Sequence, residues 1–244
     1  MTATLFHLKV SNFNEKARWA LDYKNVPHER KAIEPGRHIK VARQLAGTRT
    51  MPILRLDGRC IADSTLIIDE LERRWPEPPL YPSDSAEFVR ALALEEFFDE
   101  ELGAYARTLV VHHMLPSSDL LLGAFFPDMG AARRTAGRVF YPAIKRQFHS
   151  ALGIDDEAVE VAFEKVRAAG SRWRDELRPS GYLVGEGFSV ADLTAAALVA
   201  PAVAPPQFPY PQPQRDHPLL APVRAALAES GMDEWVREMY ARHR

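Results

Sequence analysis

Val10-Ser11-Asn12-Phe13-Asn14-Glu15-Lys16-Ala17-Arg18-Trp19-Ala20-Leu21 is the stretch on which the fold turns. It follows Thr4-Leu5-Phe6-His7-Leu8-Lys9-Val10, where apolar and polar residues nearly alternate as in a short strand. Asn12 or Ser11 can cap a helix whose first turn carries Glu15, the charge sign that suits a helix N-terminus. Phe13, Ala17, Ala20 and Leu21 recur at helical spacing and would pack back on the sheet. A small hydroxyl, Ser11, is thus held where a strand ends and a helix begins. Free backbone N–H groups and the positive end of the helix dipole converge there, a place suited to a thiolate or another anion.

Outward from this unit, residues 28–33 read as a second strand and residues 39–45 as a short helix ended by Gly47. Ile53–Leu56 and Cys60–Ala62 flank Asp57-Gly58, a strong hairpin turn signal. Ser64 then caps a helix bearing Leu66, Ile67, Ile68 and Leu71, stopped by Pro76. The order is βαβ, a helix, then ββα: a parallel unit joined to an antiparallel hairpin, with a right-handed crossover. Pro76, Pro78, Pro79 and Pro82 make a short stiff linker, and beyond it the strand signal disappears. Helical patterns follow over 84–115, 130–152 and 155–178, with an apolar loop or short helix at 120–126. Ser189-Val190-Ala191-Asp192 is a capping box opening the apolar helix Leu193–Val199. Eight of the 19 prolines fall between Pro201 and Pro222, which predicts an irregular, extended excursion before two short C-terminal helices. The fold class is α+β followed by all-α, partitioned as residues 1–78, a linker at 79–84, and a helical domain at 85–244.

The chain's 244 residues allow one large domain or two smaller ones. A net charge of −2 with no basic run argues against a nucleic-acid partner. One cysteine excludes an intramolecular disulfide framework. No signal peptide or membrane-spanning apolar run is apparent, so the expectation is a cytoplasmic protein. His112-His113 point about 100° apart on a helix and make a poor metal pair, and no other cluster has ligand spacing. Cys60, beside Ile61 in a strand, is expected to be a buried, inert thiol.

Four pieces in this order resemble the cytosolic glutathione transferases. Ser11 to Arg18 resembles the family's strand-to-helix signature, with serine at the position where Ser, Tyr or Cys stands. Thr50-Met51-Pro52-Ile53-Leu54 resembles its cis-proline turn, Ala62-Asp63-Ser64-Thr65 its acidic-serine motif, and Gly185 to Leu193 the folding motif of its helical domain. The resemblance implies a thioredoxin-like N-terminal domain that holds glutathione as co-substrate, with no tightly bound cofactor. It also implies a helical domain that supplies most of the electrophile pocket, and a homodimer.

On that resemblance Ser11 is the catalytic residue, donating a hydrogen bond to the bound sulfur. Ser11 and Asn14 stand where a thioredoxin has its two cysteines, so dithiol chemistry is excluded. A thiol of pKa about 8.5 is a few per cent thiolate at pH 7, and lowering that pKa by about two units takes roughly 2.7 kcal/mol. A charge-assisted hydrogen bond of about 1.5–3 kcal/mol plus the dipole supplies it. A plain N-cap serine is the bland alternative, and Asn12 the fallback polar group. Met51-Pro52, if cis rather than an ordinary trans proline, exposes Met51 backbone groups to an extended tripeptide. Asp63 and Ser64 would receive the γ-glutamyl ammonium and carboxylate, though the dipeptide alone equally reads as a helix cap. Arg49, assisted by His38 or Arg37, is assigned to the glycyl carboxylate. Asn12, Phe13, Tyr105, Leu109, His112 and Phe125 are assigned to the electrophile pocket, although aromatic residues at such positions are also ordinary core. The implied reaction is attack of the glutathione thiolate on a small hydrophobic electrophile, or thiol-dependent reduction or isomerisation. A non-catalytic binding or scaffold protein of this fold, and an enzyme using another low-molecular-weight thiol, are the alternatives.

Overall fold

In the computed structural model, which describes residues 2–244, β1 (Ala3–His7) is buried along its whole length rather than on one face. The reason is its central place in a four-stranded sheet of order β2-β1-β3-β4, with β2 at Glu29–Ala32, β3 at Ile53–Leu56 and β4 at Arg59–Ala62. β1 runs parallel to β2 and antiparallel to β3, and the β3–β4 hairpin is antiparallel, with Thr4 opposite Glu29 and Leu5 opposite Leu54. Helices α1 (Asn12–Tyr23) and α3 (Ser64–Arg74) cover one face, where Leu5, Leu54 and Leu56 pack with Ala17, Leu21 and Ile67. Helix α2 (Arg37–Ala46) covers the other, where Phe6, Ile53 and Met51 meet Ala42. This is a thioredoxin-like βαβαββα unit followed by a helical domain.

Three local expectations shift by a residue or a turn. Asp63, not Ser64, is the N-cap of α3; its carboxylate accepts from the Thr65 and Leu66 N–H groups. The pattern over 130–152 divides into α7 (Ala131–Val139) and α8 (Tyr141–Leu152), because Pro142 lacks the N–H that a continuous helix needs. The helix opened by the Ser189–Asp192 box, α10, runs through Pro201 to Val203. All fourteen of its residues are buried, and that packing offsets the bond lost at the proline.

The 84–115 pattern is one continuous rod: α4 (Ser85–Phe98), a π turn (Asp99–Gly103) and α5 (Ala104–Met114). Helix α6 (Ser118–Phe125) with α7 and α8 forms an excursion before the long α9 (Asp156–Glu176). After the proline-rich segment come a short 3-10 turn (Pro218–Leu220), α11 (Ala221–Ala228) and α12 (Met232–His243). No helix is long and apolar enough to cross a membrane.

Helix α1 lies between the sheet and α10, so it has no wet face, and Glu15, Lys16 and Arg18 are all fully buried. Each therefore needs a partner. Lys16 Nζ sits 2.8 Å from Glu95 and 2.6 Å from Asp99, and also donates to Thr65. Arg18 Nε donates to Glu15 at 2.7 Å, and Arg244 reaches the other Glu15 oxygen at 2.8 Å while also pairing with Asp22.

Candidate active site

Ser11 is the N-cap of α1 by position, but its side chain makes no capping bond. Its Oγ accepts instead from Asn14 Nδ2 at 2.7 Å. The same Nδ2 donates to Met51 O at 3.0 Å, while Asn14 Oδ1 accepts from Leu8 N–H at 2.9 Å. One buried amide thus fastens the serine, the β1–α1 loop and the turn before β3. With its lone pair taken by Asn14, the Ser11 hydroxyl keeps its own proton for another acceptor. Arg18 steadies the same loop from below, donating to the carbonyls of Leu8 at 3.0 Å and Lys9 at 3.2 Å. Burial pulls its guanidinium below the usual value, against the pull of Glu15.

Met51-Pro52 is cis. Among the described residues the Met51 N–H has no protein acceptor, so the turn offers a free donor beside the serine. Pro52 O accepts from Asp63 N–H at 3.4 Å, which brings the start of α3 to the same edge. Asp63 has φ of 90°, a left-handed conformation rare for a non-glycine residue. Its Oδ1 is spent on capping α3 and the residue is exposed, leaving Oδ2 towards solvent. Ser64 is buried as the first residue of that helix. Ser11, Met51, Pro52, Asp63 and Ser64 therefore lie along one hydrogen-bonded edge.

Arg49 is exposed, two residues before Met51. His38 is half-buried in the first turn of α2, where Nδ1 accepts from Gly36 N–H and burial holds its pKa below the usual value.

The residues assigned to the electrophile pocket separate into two groups. Asn12 and Phe13 are at the domain junction, but Asn12 is buried and committed: its Nδ2 donates to Gly103 O at 2.8 Å and Leu198 O at 3.0 Å. Phe13 is half-buried with its ring edge over Gly103, so close that a Cβ there would come 2.7 Å from Cζ. Tyr105, two residues on, faces the other side of the rod. It lines a cleft of about 410 Å³ with Thr108, Leu152, Asp155 and Val161, and Lys165 lies 5.7 Å over its ring. Leu109 is wholly buried core. His112 is half-buried towards His149 and Asp156, with its pKa lowered by burial. Phe125 packs edge-on to Phe148 at 4.8 Å, within the α6–α8 excursion.

That excursion and the proline-rich segment both reach the β1–α1 loop. Lys9 pairs with Asp128 and lies 5.4 Å over the Tyr210 ring, and Arg133 pairs with Glu34. Tyr210 OH meets Nε2 of the buried His7 at 3.1 Å, and Pro213 abuts Gly123. Asn14, Arg18 and Tyr210 were not assigned as site residues from sequence; Asn14 carries the only readable signal, standing three residues after Ser11 on the same helix face. Cys60 is half-buried rather than buried, opposite Arg55 in the hairpin. No group of three or more His, Cys, Asp or Glu among the described residues is arranged to hold a metal.

Residues 5–79 match the family model described as glutathione S-transferase, N-terminal domain. A maleylpyruvate isomerase from Ralstonia sp is 34% identical over 94 residues, 36% of this chain and 44% of that protein, so the chain spans less than half the length of this curated relative. Beta-etherase LigF from Sphingobium sp. strain SYK-6 superposes with a TM-score of 0.63 at 20% identity, covering 99% of this chain and 100% of that one. A glutathione S-transferase from Methylobacterium radiotolerans, solved with glutathione sulfonate, gives a TM-score of 0.57 at 19% identity over 94% of each chain. Over residues 5–79 this chain therefore belongs to the glutathione S-transferase family, as that family's N-terminal domain joined to a helical domain in a shared fold.

Proposed function

We propose that the chain is a glutathione-dependent enzyme in which residues 1–78 bind the tripeptide and residues 85–244 receive the electrophile. The observation that carries this reading is Asn14, bonded at once to Ser11 Oγ and Met51 O. A peptide laid along the Met51 turn puts its cysteinyl sulfur against the free Ser11 proton. Met51 N–H pairs with the ligand backbone, Pro52 shapes the turn, and Asp63 Oδ2 takes the γ-glutamyl ammonium. The N-terminal end of α3, with Ser64, takes the α-carboxylate. Arg49, with His38 nearby, faces the glycyl carboxylate.

Ser11 and the α1 dipole favour the thiolate over the thiol. The thiolate then attacks a carbon electrophile: a C–S bond forms, the leaving group departs with its electron pair, and the thiol proton has already passed to water. A serine rather than a cysteine at position 11 forms no mixed disulfide with glutathione. The glutathione sulfonate in the Methylobacterium relative supports the choice of thiol.

Calorimetric titration with glutathione tests the reading. Saturable binding is expected for the wild type, weakened at least tenfold by Asp63→Ala. Ser11→Ala should bind nearly as well but lose the thiolate ultraviolet absorbance. No heat at millimolar glutathione would overturn the assignment.

A further inference from the structure

Successive turns of α1 and of the long rod meet in antiparallel order. Lys16 meets Asp99 at 2.6 Å, and four residues back Asn12 meets Gly103 at 2.8 Å, four residues on. The next step in the same sense pairs the Leu8–Ser11 loop with Arg107, about 6 Å beyond Gly103 along α5. Residues four apart share a helix face, so Arg107 projects towards the side on which Gly103 meets Phe13. Its other neighbours on that face, Val110, Val111 and Met114, are buried and apolar.

Arg107 is solvent-exposed, and among the described residues its guanidinium has neither a hydrogen bond nor an ion pair. Yet burial by surrounding chain pulls its pKa below the usual arginine value. A side chain crowded by protein and still open to water stands inside a concavity, not on a convex surface. The Lys9–Asp128 pair and Tyr210 cover the β1–α1 loop from the opposite side. The cleft so enclosed holds Ser11 at one end and an uncommitted, weakly hydrated cation at the other.

We propose that Arg107 recognises an anionic group, specifically a carboxylate, on the electrophile. The inference rests on the glutathione reading above and narrows its substrate class. A carboxylate fits the planar fork of a guanidinium in two parallel bonds. Arg107 also offsets the repulsion between that carboxylate and the thiolate held by Ser11.

The test uses 4-chloro-3-nitrobenzoate beside its methyl ester. In both, the glutathione thiolate attacks the carbon bearing chlorine, the C–S bond forms and chloride leaves. For Arg107→Gln, kcat/KM for the acid should fall at least tenfold, with the ester rate and the KM for glutathione unchanged; Arg107→Lys should recover part of the loss. An acid-to-ester ratio that is the same in wild type and Arg107→Gln overturns the proposal. An equilibrium arm separates this from failure of the parent reading. Calorimetric binding of unreactive 3-nitrobenzoate and 3-nitrobenzamide is measured with and without glutathione. Tighter binding of the benzoate, abolished in Arg107→Gln, supports Arg107 even if glutathione does not bind. Equal affinities in the wild type refute it whether or not glutathione binds. Matching far-ultraviolet circular dichroism of the variants shows that they fold.

Discussion

Acid should destabilise this protein through His7, and His7→Gln should remove that sensitivity. His7 is wholly buried at the end of β1, stacked on Tyr210 at 5.4 Å between ring centroids. Arg18 Nη1 lies 3.0 Å from its Nδ1, and an arginine can only donate, so Nδ1 carries the lone pair and Nε2 the proton. Protonating Nδ1 would set a second cation against Arg18 in a dry site. Burial first, then the Arg18 charge, hold the pKa at about 3, against an ordinary 6.5. A base whose folded pKa is depressed contributes stability that is complete above its unfolded pKa and drains away as the pH falls towards the folded one. The window is therefore from about 6.5 down to about 3. Between pH 7 and pH 4 the loss attributable to His7 is about 3 kcal/mol. Glutamine keeps an acceptor for Arg18 and a donor for Tyr210 without titrating. Urea unfolding of both proteins at the two pH values, with equal m-values, measures the difference. Wild type should lose about 3 kcal/mol more than His7→Gln; parallel losses, within about 1 kcal/mol, would refute the reasoning.

Three further outcomes follow from the packing around α1. Asn14→Ala strands the Leu8 N–H and Met51 O and frees Ser11 to rotate, so it should cost about 2–4 kcal/mol in urea unfolding and abolish the thiolate absorbance of bound glutathione. Lys16→Met leaves Glu95 and Asp99 without their cation and should cost about 3–5 kcal/mol by the same assay. Part of that loss should return in acid, because burial already holds the Glu95 pKa above its ordinary value and a protonated Glu95 needs no partner. Gly103→Ala forces a Cβ to within 2.7 Å of Phe13 Cζ and 2.9 Å of Leu198 Cδ2, and should cost about 1–3 kcal/mol.

The order of strands and helices was legible because each element carries its own periodicity and punctuation: Asp57-Gly58 for the hairpin, Gly47 for the end of α2, Ser189–Asp192 for α10. The site was legible where neighbours in sequence are neighbours in space. Ser11 with Asn14, and Met51 with Pro52, are of this kind. What joins them was not, because the Asn14–Met51 bond and the Asp63–Pro52 bond span the sheet. The charges of α1 were harder still. Glu15, Lys16 and Arg18 read as a polar face, and only the α4 rod and the C-terminal Arg244 on the far side reveal them as a buried network. Asn12 illustrates the opposite error: a polar group at the right address can already be spoken for, here by Gly103 and Leu198. Tyr105 shows that a helical aromatic beside a site can belong to the reverse face.

The π turn at Asp99–Gly103 acts as a phase adjuster for everything beyond it. Such a turn holds one residue more than an α-turn, so upstream and downstream stretches of the rod are rotated relative to a uniform helix. Excising a single residue there would restore regular winding and still leave an unbroken rod. It would also advance every later side chain by about 100°, handing the position of Arg107 to Thr108 and swinging the guanidinium off the domain junction. One codon in this turn thus decides which residues of α5 the cleft receives, a route by which related chains can exchange a charged lining for a neutral one without altering a single lining residue.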